Sequence, residues 1–198
     1  RRAFPIFVKA NHLDASKIAW TAMDPPLRET MLLRGDVDAI TGFYFTSLLN
    51  LNRGGAKDED IEVMPYAQFG VDIYSNAIIV SEPFLKEKPE AVRGFLRALT
   101  RGLRDTLADP DASIRYVKER DPLIDEALEK RRMRLTITSA IATPITRAEG
   151  VGDVKPQRLA SMVDQVSEAF ALKNPVKPEQ VWNGSYLPPR ADRMIVPK

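Results

Sequence analysis

Met31-Leu32-Leu33-Arg34-Gly35-Asp36-Val37-Asp38-Ala39-Ile40-Thr41-Gly42-Phe43-Tyr44 decides the fold expected of this chain. A helical pattern stops at Gly35, turns, and restarts as a short apolar run from Val37 to Thr41, which reads as a strand. In open α/β sheets small molecules bind beyond the carboxyl ends of strands, where backbone donors, helix N-termini and loop side chains converge. Thr41, Gly42, Phe43 and Tyr44 occupy that position. They form either one wall of a ligand crevice or an ordinary packed loop.

Working outward, Arg1 to Asn11 carries apolar residues at Phe4, Phe7 and Val8, as an amphipathic helix does. Lys17 to Met23 alternates and is rich in β-formers, so it reads as a strand; Asp24 then caps a helix with Pro25 in its first turn, and Leu27, Met31 and Leu32 form a buried stripe. Helix, strand, helix, strand implies parallel pairing through right-handed crossovers and hence a doubly wound sheet. Phe45 to Arg53 reads as the next helix, Ile61 to Tyr66 as a third strand, and Asn76 to Val80 as a strand too continuously apolar to be half exposed. Beyond Ser81 the chain becomes helical. Val92, Phe95, Leu96, Leu99, Leu103 and Leu107 recur at helical spacing and read as a core stripe. Asp109-Pro110 and Asp121-Pro122 restart helices, Leu159 to Phe170 marks another, and residues 150 to 156 form a loop.

Composition narrows the function. At 198 residues with 44% hydrophobic content, the chain suits one full domain or two small lobes. Twenty-nine basic residues against 27 acidic ones, interspersed, leave a net charge of +2 and no electrostatic footprint for nucleic acid. The knot Arg131, Arg132, Arg134 reads as a solvated helix face. Cysteine is absent, which excludes disulfides, thiolate nucleophiles and zinc ribbons. His12 is the single histidine and reads as a helix-end residue rather than a catalytic base. No nucleophile elbow, Walker sequence or dinucleotide fingerprint is present, no apolar run approaches the roughly 20 residues of a bilayer span, and no metal, cofactor or catalytic residue is called for.

Four segments in order resemble the substrate-binding proteins of ABC importers, in the nitrate, sulfonate, taurine and thiamine-pyrimidine branch: Asp24-Pro25-Pro26 with Arg34 to Ala39, Tyr74 to Leu85, Lys88 to Ala98, and Trp182 to Pro188. The resemblance implies a type II periplasmic-binding-protein-like α/β fold, a doubly wound, mostly parallel sheet with flanking helices followed by a helix-rich C-terminal part. It places the second lobe at residues 1–72 and a hinge-return strand with the helices that complete the first lobe at 73–198. It further implies that most of the first lobe and a signal peptide belong upstream of Arg1, with a periplasmic or lipid-anchored location. The implied partners are a small-molecule solute and a membrane permease, with solute capture by hinge closure and no covalent chemistry.

In the resemblance, Gln68 to Asp72 is where the chain crosses back between lobes, so Asp72, Tyr74 and Asn76 either line the cleft or serve as turn residues. Arg1 either complements an anion at the start of the first helix or is a frayed terminus. Where many members of the branch carry a Trp-Glu-Pro-like cluster, this chain has Phe43-Tyr44-Phe45, an aromatic wall without a carboxylate, which disfavours a cationic ligand. Two alternatives remain from the same resemblance: a ligand-sensing regulatory module, and a thiamine-pyrimidine synthase, which the absence of cysteine opposes.

Overall fold

Proline punctuates this chain, and because its fixed φ and missing N–H suit a first helical turn, it marks most of the places where helices begin. The computed structural model describes residues 3–195. In chain order its helices are α1 (Phe4–Ala10), α2 (Arg28–Leu33), α3 (Tyr44–Arg53), α4 (Glu82–Glu87), α5 (Pro89–Ala108), α6 (Pro110–Arg120), α7 (Glu126–Thr136), α8 (Pro144–Glu149), α9 (Pro156–Ala169), α10 (Pro178–Val181) and α11 (Arg190–Arg193). Prolines stand in the first turns of α1, α4, α5, α6 and α8. Side-chain caps add to this at Asp109, Asp125 and Thr143, each accepting from a first-turn backbone N–H.

The doubly wound sheet is not there: among the described residues no strand is formed. Lys17 to Met23 continues from a 3-10 turn at Ala15–Lys17 as irregular backbone, and Val37 to Thr41, Ile61 to Tyr66 and Asn76 to Val80 likewise form no strand. β-propensity and alternation act locally and favour an extended chain, whereas a sheet needs a second segment alongside at about 4.8 Å to take the backbone hydrogen bonds. None of these four segments supplies that partner to another.

The chain divides into two units, one of residues Arg1–Tyr74 and Gln157–Lys177, the other of Ser75–Pro156 and Pro178–Lys198. In the first unit the core forms around Ile6, Phe7 and Val71. Phe7 stacks on Tyr66 with centroids 5.4 Å apart and on Phe4 at 5.5 Å, and Trp20 meets Phe4 edge-on. Asn11 closes α1 and ties it to the 3-10 turn Tyr66–Phe69, its Nδ2 donating to the carbonyls of Phe7 and Phe69. Gly35 ends α2 in a Schellman arrangement at φ +73°: its N–H donates to the Leu32 carbonyl and that of Asp36 to the Met31 carbonyl. The stripe expected to bury α2 is only half covered, since Leu27 is 51% exposed and the buried residue is Glu29. α3 buries Leu48, Leu49 and Leu51.

In the second unit Leu107, Ile137, Ala142 and Ile195 form the core, with Leu103 and Met133 packed on it. α7 runs on into a π turn, Ile137–Ile141. Arg193 is buried and satisfied, donating to the carbonyls of Pro188 and Val151 and pairing with Asp153. Three expectations fail here. Asn76 to Ile79 is exposed rather than enclosed, with Ile79 at 91% and Val80 half-buried, and the α5 stripe is fully buried only at Val92 and Leu107, with Leu96 and Leu103 half-buried and Phe95 and Leu99 exposed. Asp121-Pro122 forms a turn instead of starting a helix, and α7 begins only at Glu126, with Asp125 as its N-cap.

Candidate functional site

Two groups of residues in the first unit carry the expected site. The Thr41–Tyr44 bend is held from beneath by α2. Arg28 donates from Nη1 to the Thr41 carbonyl at 2.6 Å and from Nε to the Pro25 carbonyl at 3.1 Å, joining the start of α2 to the end of the extended segment. The neighbouring Glu29 carboxylate is buried and accepts from Ser47 Oγ of α3 at 2.7 Å, with Arg28 Nη2 3.9 Å away. The bend passes so close to these groups that a Cβ at Gly42 would stand 2.5 Å from Ser47 Oγ and 3.3 Å from Arg28 Nη1. Above it, Phe43 precedes the first turn of α3 and stacks on Phe45 with centroids 5.4 Å apart. Phe43 is 50% and Tyr44 39% exposed, so both residues are accessible from solvent.

The second group joins the end of the unit's first segment to α9. Arg158, in the first turn of α9, lays its guanidinium 4.1 Å from the centroid of the Tyr74 ring and pairs with Asp72 Oδ1 at 2.7 Å. Its Nε is buried without a hydrogen-bond partner among the described residues. The backbone N–H of Tyr74 points at Met162 Sδ, one turn further along α9, at 3.3 Å. A cation over a ring, pinned by a carboxylate, is rigid and retains donor capacity for an acceptor on a ligand.

Asp72 and Tyr74 are therefore brought together, and their organiser, Arg158, was not singled out from sequence. Arg28, Glu29 and Ser47 were missed as well; a glutamate within a stripe of apolar helix positions is the one local sign that pointed to them. Asn76 is exposed and belongs to the second unit, and Arg1 lies outside the described residues. His12 is exposed at the end of α1 with φ +53°. Among the described residues no three His, Cys, Asp or Glu side chains gather to hold a metal, and no helix is long and apolar enough to cross a membrane. Among the described residues of the second unit, one open concavity of about 660 Å³ is lined by Asp111, Arg115, Lys118, Glu119 and Glu126, and another of about 410 Å³ lies between Ile78, Ile79 and Phe84 and Val92 and Phe95 of α5.

The sequence model of the "NMT1/THI5 like" family matches residues 4–113, more than half the chain. The chain belongs to the NMT1/THI5-like family. A curated relative, the riboflavin-binding protein RibY of Chloroflexus aurantiacus, is 30% identical over 121 residues, covering 59% of this chain and 34% of the relative. The chain thus spans about a third of the length of that relative. No solved structure matches. Family membership agrees with the resemblance drawn from Arg34 to Ala39 and Tyr74 to Leu85, which both lie inside the matched span, and the α/β sheet expected with it is absent from the described residues.

Proposed function

We propose that this NMT1/THI5-like chain belongs to a solute-binding component of an ABC-type importer, capturing a planar heterocycle by stacking and hydrogen bonding and releasing it unchanged to a membrane permease. The observation that carries the reading is the Asp72–Arg158–Tyr74 cluster: a half-buried ring with a fixed guanidinium on its face, in the unit that also exposes Phe43 and Tyr44. Binding of a neutral or anionic heterocycle needs an aromatic surface and a few oriented donors, and it needs no group of unusual protonation. The bend Thr41–Tyr44 has no carboxylate facing solvent, since Glu29 beneath it is engaged by Ser47. Riboflavin is the first solute to test, because a relative bears that name.

The test is a heteronuclear NMR titration of the 198-residue chain with riboflavin, with taurine and nitrate as comparators. Saturable shifts at Tyr74, Arg158, Phe43 and Tyr44 with riboflavin alone are expected. Shifts confined to other residues, or identical responses to all three solutes, overturn the reading. Carbonyl-containing heterocycles that lack the ribityl chain extend the series to the group recognised.

A further inference from the structure

The second unit exposes an apolar surface that solute capture does not use. Ile78-Ile79-Val80 sets three β-branched residues in succession, and from Ile73 to Ser81 the sequence carries no charged side chain. Residues 76–80 form neither helix nor strand. Ile79 is 91% and Ile78 53% exposed, whereas Val80 is half-buried. The open concavity of about 410 Å³ is lined by this segment together with Phe84 of α4 and Val92 and Phe95 of α5. Val92 is buried, but Phe84 and Phe95 are 43% and 54% exposed.

The size and the lack of charge of this surface select its occupant. Ile78, Ile79, Phe84 and Phe95 line one hollow and together leave roughly 500 Å² in water, as much as the largest apolar patch of an ordinary monomer. Laid face to face with the same patch of a second copy about a two-fold axis, it would bury about 1,000 Å², the lower end of the range for specific interfaces. The sequence supplies a register for that contact. Antiparallel pairing about an axis at Ile79 sets Ile79 against Ile79, Ile78 against Val80 on either side, Ala77 against Ser81 and Asn76 against Glu82. No like charges meet in this register, and its centre is made of β-branched pairs, which favour a cross-strand contact. With side chains alternating between faces, Ile79 meets its own copy on one face, and Ile78 and Val80 meet on the other.

We infer that two copies of this chain associate through residues 76–80, as a weak, reversible two-fold dimer in which Ile79 packs on Ile79 and the hollow beside Phe84 and Phe95 is covered. A strand forms only when a second segment takes its backbone hydrogen bonds, and here the second copy supplies that segment. The solute cluster around Arg158 lies in the first unit and contributes no residue to this contact.

The test is sedimentation velocity of the 198-residue chain over a series of concentrations, where a monomer–dimer equilibrium is expected. Ile79→Lys should weaken the dimer by about tenfold or more, because two ammonium groups then face each other across the axis. Leu123→Lys, at a residue 94% exposed in the turn before α7, should leave it unchanged. Ile79→Lys mixed with Ile79→Glu should pair again, a gain that misfolding would not produce. The sequence has no cysteine, so Ile79→Cys reports on the axis alone. Facing residues of an antiparallel pair have Cα atoms about 4.5–5.5 Å apart, within reach of a disulfide, so oxidation by copper phenanthroline should link Ile79→Cys chains far faster than Leu123→Cys chains. A chain that stays monomeric at every concentration, whether or not it adsorbs to phosphatidylglycerol vesicles, overturns the inference. So do equal effects of the two lysine substitutions, equal linking rates of the two cysteine variants, or assembly that grows past the dimer without limit. The riboflavin response is read at residues of the first unit, so either result stands without the other.

Discussion

Arg158 holds its guanidinium 4.1 Å from the centroid of the Tyr74 ring, across 84 residues of sequence, and this pairing fixes the end of the first segment to α9. The pair is expected to contribute to stability as well as to binding. Partly desolvated cation–ring contacts are worth about 0.5–2 kcal/mol, whereas the Asp72 pair, with its carboxylate 56% exposed, belongs to the weak class of about 0–1 kcal/mol. In urea unfolding, a double-mutant cycle of Arg158→Met and Tyr74→Leu should show a coupling of about 1 kcal/mol, and Asp72→Asn a smaller single effect. Additive effects of Arg158→Met and Tyr74→Leu would show that the stacking is incidental.

Glu29 and Ser47 form the buried support under the Thr41–Tyr44 bend. Ser47→Ala leaves the Glu29 carboxylate buried without its hydroxyl donor, which should cost about 1–3 kcal/mol. Glu29→Gln keeps an acceptor for the hydroxyl and removes the buried charge, so it should be the milder of the two changes. Thermal unfolding of both variants decides this, and a larger loss in Glu29→Gln would mean that the charge itself, through Arg28, holds the bend.

Gly70 and Gly35 separate strain from crowding. Both take positive φ, +80° and +73°, but a Cβ on Gly70 would stand 2.7 Å from Ala10 Cβ while one on Gly35 would meet nothing within 4 Å. Gly35→Ala should cost the left-handed strain alone, about 1–2 kcal/mol. Gly70→Ala should cost more, because forced overlap adds about 1–3 kcal/mol and pushes α1 away from the Tyr66–Phe69 turn. Equal losses in the two variants would show that α1 yields freely at Ala10.

Helix boundaries were legible because their causes are local. Gly35 ends α2 through two hydrogen bonds to carbonyls within five residues, and Asp109-Pro110 starts α6 with a side chain that reaches Ala112 N–H. The sheet was misread for the opposite reason. Ile61 to Tyr66 and Asn76 to Val80 have strand composition, yet pairing depends on what lies beside them, which composition does not encode. The same division runs through the candidate site. The Thr41–Tyr44 bend is visible as a break in periodicity, whereas its supports come from Arg28, 13 residues away, and Arg158 meets Asp72 only through tertiary folding. Phe95 and Leu99 follow helical spacing as faithfully as Val92 and Leu107, and periodicity alone cannot tell a face that is covered from one that is open.

Tyr66 stacks on Phe7 in the first core while its hydroxyl is buried with no hydrogen-bond partner among the described residues. Burial disfavours the phenolate and raises the pKa of Tyr66 above its ordinary value of about 10. The folded state therefore keeps its proton at pH values where the unfolded chain has begun to lose it. This contribution to stability is whole below about pH 10 and declines as pH rises through the folded-state pKa, since the unfolded state then binds fewer protons. Tyr66→Phe retains the ring on Phe7 and removes the unsatisfied hydroxyl, so at neutral pH it should be neutral or stabilising by up to about 1 kcal/mol. Above pH 10 its advantage over the parent should widen, because the variant has no phenol to ionise on unfolding. Chemical unfolding midpoints of the two proteins at neutral and alkaline pH measure both effects, and a gap that narrows with rising pH would place the Tyr66 hydroxyl in a hydrogen bond that stabilises the phenolate.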